Sequence, residues 1–185
     1  MTIHQILSGK KPEILKSWFD LIAGTYPSDT AVFLTTQKNR FHNPVGHTIS
    51  EGIEDLFDEL VRGIDPDRAA KSLDNIIRIR ALQKFSPSQA LSFIFLLKTV
   101  IRKEIADDVR KHQLFEELMT LESSIDELAN ISFDIYMKCR EKLYELKANE
   151  VRNLTSRLLK RVNETGKPAT AEENIEDGPL FNSFY

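Results

Sequence analysis

Few side chains in this sequence are of a type and spacing that could do chemistry, and most of those are basic. The four histidines are His4, His42, His47 and His112. No two stand four residues apart, the spacing that puts two imidazoles on one helical face as metal ligands, and none belongs to an HExxH-like run. The single cysteine, Cys139, excludes an intrachain disulfide and a cysteine zinc cluster. It stands between Lys138 and Arg140, whose charge favours a thiolate, and this makes it the redox candidate. It also continues an apolar stripe, where its role would be packing. There is no phosphate loop, GxGxxG or GxSxG run, and no nucleophile–base pair can be assembled. We therefore expect no catalytic residue, no metal and no cofactor. His42 and His47 flank Asn43-Pro44-Val45-Gly46, where a haem ligand is conceivable, as at His112; a surface or capping role is the plainer account.

A polar cluster offers more. Arg78, Arg80, Gln83, Ser86, Ser88, Gln89 and Lys98 crowd the junction of two helices, and Arg140 lies on a later one. An arginine near a core must be paired. One reading is a buried network closed by Asp74, Asp134 or Glu141. The other is a ligand pocket, because guanidinium groups suit carboxylates and phosphates.

The elements that position these residues read as helices. Seven glycines and seven prolines in 185 residues are few breakers. Pro12-Glu13 opens a helix carrying Ile14, Leu15, Trp18, Leu21 and Ile22, which ends near Gly24. Ser28-Asp29-Thr30 opens a short turn, and Gln37 to His47 reads as a loop. Ile49, Ile53, Leu56, Phe57 and Leu60 form the next stripe. Asp65-Pro66-Asp67 caps a helix carrying Leu73, Ile76, Ile77 and Arg80. Ser86-Pro87-Ser88-Gln89 is a capping box with proline at the first helical position, and the helix after it, apolar on most faces, belongs at the centre of a bundle. From Val109 to about Val162 there is neither proline nor glycine. The spacing of Leu114, Leu118, Leu121, Ile125 and Leu128, continued by Ile135, Leu143, Leu146, Leu154 and Leu158, predicts one very long helix or two in line. The fold expected is all-α, a helical domain over residues 1–165. Residues 166–185 read as a flexible acidic tail whose Leu180, Phe181, Phe184 and Tyr185 are a candidate docking patch.

Composition excludes several functions. With 25 basic and 28 acidic residues the net charge is −3, without the basic footprint of a nucleic-acid binder or the polybasic stretch that anionic membranes attract. The apolar run around Leu91–Val100 is too short to span a bilayer. The N-terminus lacks the pattern of a signal peptide, so the expected location is the cytoplasm.

Three stretches carry a family resemblance: Arg40-Phe41-His42-Asn43-Pro44-Val45-Gly46; Ile79 through Ala90, with its Phe85-Ser86-Pro87-Ser88-Gln89-Ala90; and Tyr136-Met137-Lys138-Cys139-Arg140-Glu141. With Leu96-Leu97-Lys98 they make residues 12 to 150 resemble the N-terminal domains of the RsbT co-antagonist proteins, the RsbR-type sensory modules of bacterial stress signalling. The resemblance implies a globin-like helical bundle that binds no haem, a homodimer, and an input module acting on regulatory partners. Larger members continue into a STAS domain; nothing long enough for one follows here, so a stand-alone relative is expected. Two rival readings are a small-ligand or haem-binding sensor and an accessory protein of a redox complex.

Overall fold

The structure is a computed structural model and describes residues 1–83 and 85–165. Among the described residues it contains helices and no strand: α1 (Ile3–Gly9), α2 (Lys11–Ala23), α3 (Ser28–Thr36), α4 (Pro44–Arg62), α5 (Pro66–Leu82), α6 (Pro87–His112) and α7 (Phe115–Thr165). The all-α expectation holds. The expected tail, with Leu180, Phe181, Phe184 and Tyr185, lies outside the described residues.

The chain divides into two units, Met1–Glu141 and a second starting at Lys142. The first holds the core. Trp18 of α2, Phe57 of α4, Leu73 and Ile77 of α5, Phe93 and Leu97 of α6, and Ile125 and Leu128 of α7 are all buried in one cluster. Burying each aliphatic or phenyl group stabilises the fold by about 1.5–3 kcal/mol. The Trp18 indole donates to the Phe93 carbonyl at 2.7 Å, so its one polar atom is satisfied inside the core. Helices α4 and α5 approach closely at Gly52, where an added Cβ would stand 2.7 Å from Ile76 Cδ1.

Capping explains most boundaries. Asp65 Oδ1 accepts from the Arg68 amide, and Ser86 with Gln89 forms the reciprocal box read in the sequence. Helix α1, absent from the sequence reading, is opened by a second such box, Thr2 with Gln5, and buries Ile3, Ile6 and Leu7. Two expectations are corrected. The supposed loop to His47 stops at Asn43, because Pro44 takes the first helical position and Asn43 caps it. The very long helix read from the sequence is present as α7, but it starts at Phe115 and not at Val109: Val109 to His112 finish α6, and the chain turns left-handed at Gln113, φ 56°. The amides of Gln113 and Leu114 both reach the Val109 carbonyl, and Leu114 is buried. This hydrogen-bonded stop with an apolar clasp needs no glycine.

Beyond that stop α7 runs back along α6. Lys98 pairs with Asp126 at 2.6 Å, and Arg102 holds both oxygens of Glu122 at 2.5 and 2.6 Å. Residues four apart on α6 thus meet residues four apart on α7 in reverse order, an antiparallel ladder over the buried Leu121, Ile125 and Leu128.

In the second unit the described residues are helical through Thr165. Val151, Leu154 and Leu158, spaced three and four apart, are 63%, 51% and 54% exposed.

Candidate functional site

Helix α5 decides which members of the polar cluster go inward. Ala69, Leu73, Ile76, Ile77 and Arg80 share its buried stripe at helical spacing, whereas Arg78 is two residues from Arg80 and points to the other side. Arg80 is fully buried. Its Nε donates to the Ala90 carbonyl at 2.9 Å, and Nη2 donates to the Gln89 carbonyl at 2.8 Å and to Thr25 Oγ1 at 3.2 Å. The guanidinium lies against three rings: its carbon is 4.5 Å from the centre of Phe85, 5.4 Å from Tyr26 and 5.8 Å from Phe93. Tyr26 and Phe85 meet edge to face at 5.2 Å and 86°.

No carboxylate among the described residues pairs with Arg80. The expected partner Asp74 is taken by Arg78, outside the core. Three buried polar atoms here have no hydrogen-bond partner: Arg80 Nη1, Tyr26 Oη and Gln83 Oε1. Burial pulls the Arg80 guanidinium below its ordinary range, with Tyr26 opposing. Burial pushes the Tyr26 hydroxyl up; Arg80 and Gln83 stand close enough to offset part of the rise, yet neither meets hydrogen-bond geometry with it.

The other expected site residues disperse. The side chains of Ser86, Ser88 and Gln89 are exposed and serve the cap of α6, with Ser86 and Ser88 hydroxyls 3.1 Å apart; only the Gln89 backbone reaches Arg80. Lys98 belongs to the α6–α7 ladder. Arg140, partly buried, has Nη1 3.5 Å from the Ala81 carbonyl. Cys139 is partly buried against the core; burial pushes its thiol up while Arg78 pulls it down, the reverse balance to the one its flanking cations suggested. Thr25, Tyr26 and Phe93 complete the Arg80 site and went unread in the sequence, since nothing in their spacing ties them to an arginine.

The Arg40–Gly46 stretch is structural at its second half. Asn43, buried, donates through Nδ2 to the Leu34 and Gln37 carbonyls at 3.1 and 3.0 Å and accepts from the Gly46 amide at 2.8 Å. A Cβ on Gly46 would collide with that side-chain amide. Arg40, Phe41 and His42 are exposed. His47 Nε2 is 2.9 Å from Glu51 Oε1, an ion pair only when the imidazole is protonated, and it lacks hydrogen-bond alignment. His112 is in the last turn of α6. No group of three metal-ligating side chains converges among the described residues, and no described helix is long and apolar enough to cross a membrane.

Comparison with known proteins places this geometry. No curated protein and no solved structure matches the chain. Residues 12–151 match the family described as the RsbT co-antagonist protein rsbRD N-terminal domain. That span runs from the start of α2 into the second unit and contains Asn43, Arg80, the capping box of α6 and Cys139. The chain belongs to the family of RsbT co-antagonist rsbRD N-terminal domains.

Proposed function

We propose that this protein is a non-enzymatic regulatory input module that acts by changing its binding to other proteins, in the manner of the stress-signalling circuits its family name denotes. The family supports the class. The observation that carries the mode of action is the exposed stripe of Val151, Leu154 and Leu158. An aliphatic stripe at helical spacing is the usual mark of an association face. The partner we assign to it is a second copy of the chain, the homodimer that the family resemblance implies. A regulatory protein then engages the dimer, with the cytoplasm as the site of action.

Light scattering on the eluting protein at tens of micromolar tests this. A mass twice that of the 21.2 kDa chain is expected. The doubly substituted Val151→Glu/Leu158→Glu protein is expected to elute as a monomer with unchanged helicity, because charge on both positions forbids burial. A wild-type protein that is strictly monomeric rejects the stripe as the association face.

A further inference from the structure

Arg80 carries a charge into the core, with no carboxylate among the described residues paired to it. Nε and Nη2 are spent on the Ala90 and Gln89 carbonyls and on Thr25, while Nη1 has no acceptor. Two more orphaned atoms, Tyr26 Oη and Gln83 Oε1, belong to side chains around the same group. Native interiors rarely leave such atoms unpaired, and three at one cation require a reason.

A water molecule would serve Gln83 Oε1 and accept from Nη1, but it leaves the charge unbalanced. Oxygen and nitrogen of an amide are alike in shape, so a half-turn of Gln83 presents Nε2 in place of Oε1. Nη1–H, Tyr26 O–H and Gln83 Nε2–H are then three donors around one positive charge, with the rings of Phe85 and Phe93 on the remaining sides. Three donors and a desolvated guanidinium are the chemistry of an anion site. We propose that Arg80, Tyr26 and Gln83 bind one small monovalent inorganic anion of about the size of chloride. The size follows from burial: Arg80 and Phe93 are fully buried and Tyr26 nearly so, which favours a small ion over a bulky organic acid. The valence follows from the guanidinium being the one charge found at this site among the described residues.

The proposal goes beyond the regulatory reading above and does not depend on it: the anion binds whether or not the chain dimerises. The test is thermal unfolding of the full chain in sodium chloride or sodium bromide, with sodium gluconate holding ionic strength constant. The midpoint is expected to rise by about 4 °C as either halide replaces gluconate, and to saturate. Tyr26→Phe is expected to abolish the halide dependence and to lower the midpoint. A wild-type midpoint indifferent to halide overturns the proposal, and so does an equal halide effect in Tyr26→Phe. A Tyr26→Phe midpoint at or above the wild type overturns it too, since deleting a truly orphaned hydroxyl removes a burial penalty. Gln83→Leu, at a half-buried position, gives the same readings should Tyr26→Phe not fold.

Discussion

At the scale of the residue, the polar side chains of this domain divide by what their geometry leaves over. Asn43 leaves nothing: both ends of its amide are used, on two carbonyls and one amide hydrogen, and it ties the end of α3 and the loop after it to the start of α4. Asn43→Ala therefore removes a helix cap and strands two carbonyls. A loss of about 2–3 kcal/mol is expected in urea unfolding, with the oligomeric mass unchanged. A loss of mass without loss of stability would mean that Asn43 acts at an interface. Arg80 differs, since one nitrogen is left over after its hydrogen bonds are counted. Cys139 is partly buried against the core, and that burial pushes its thiol up while the Arg78 charge opposes it.

At the scale of the element, the helices were legible wherever side chains cap backbone. Pro12, Asp65-Pro66 and Ser86-Pro87-Ser88-Gln89 all mark true starts within a residue, because the cap is a local hydrogen bond. Thr2 with Gln5 carries the same signal for α1, with only a short apolar stripe behind it, so periodicity does not reinforce the cap. The break at Gln113 was not legible from breakers: it is imposed by Leu114 folding into the core, a tertiary contact no local rule contains. That position predicts its own improvement. Gln113→Gly relieves a left-handed backbone and is expected to stabilise the protein by about 0.5–1 kcal/mol in urea unfolding. A destabilised Gln113→Gly would show that the side chain, and not the backbone, holds the turn. The Arg80 site was half legible. Helical spacing from Ala69 and Leu73 puts Arg80 on the buried stripe and Arg78 off it, but the aromatic lining from Tyr26 and Phe93 is assembled only by packing.

At the scale of the whole molecule, stability leans on carboxylates that the fold keeps ionised. The Arg102 guanidinium holds Glu122 below its ordinary 4.5, Lys10 holds Asp108 below 3.8, and the Arg68 amide does the same for Asp65. Each is a depressed folded value, so its contribution is complete above the unfolded value and is lost as pH falls through the folded one. The urea midpoint is expected to drop as the pH is lowered from about 5 to about 3, and to drop less in Glu122→Gln. A midpoint constant over that window would mean these pairs contribute nothing net, the common fate of exposed ion pairs.

The antiparallel ladder between α6 and α7 has a degeneracy. Lys98 and Arg102 are one helical turn apart, and so are Glu122 and Asp126. If α7 slipped by one turn, about 5.4 Å, Lys98 would face Glu122 and a single rung would survive. The charges therefore choose which faces of the helices meet but scarcely choose between adjacent registers, since one exposed rung is worth little. The register is held by hydrocarbon: Leu121, Ile125 and Leu128 are buried, and a close-packed interior resists displacing all three at once. Any movement of α7 along α6 must therefore first repack those three side chains, whatever the surface charges allow.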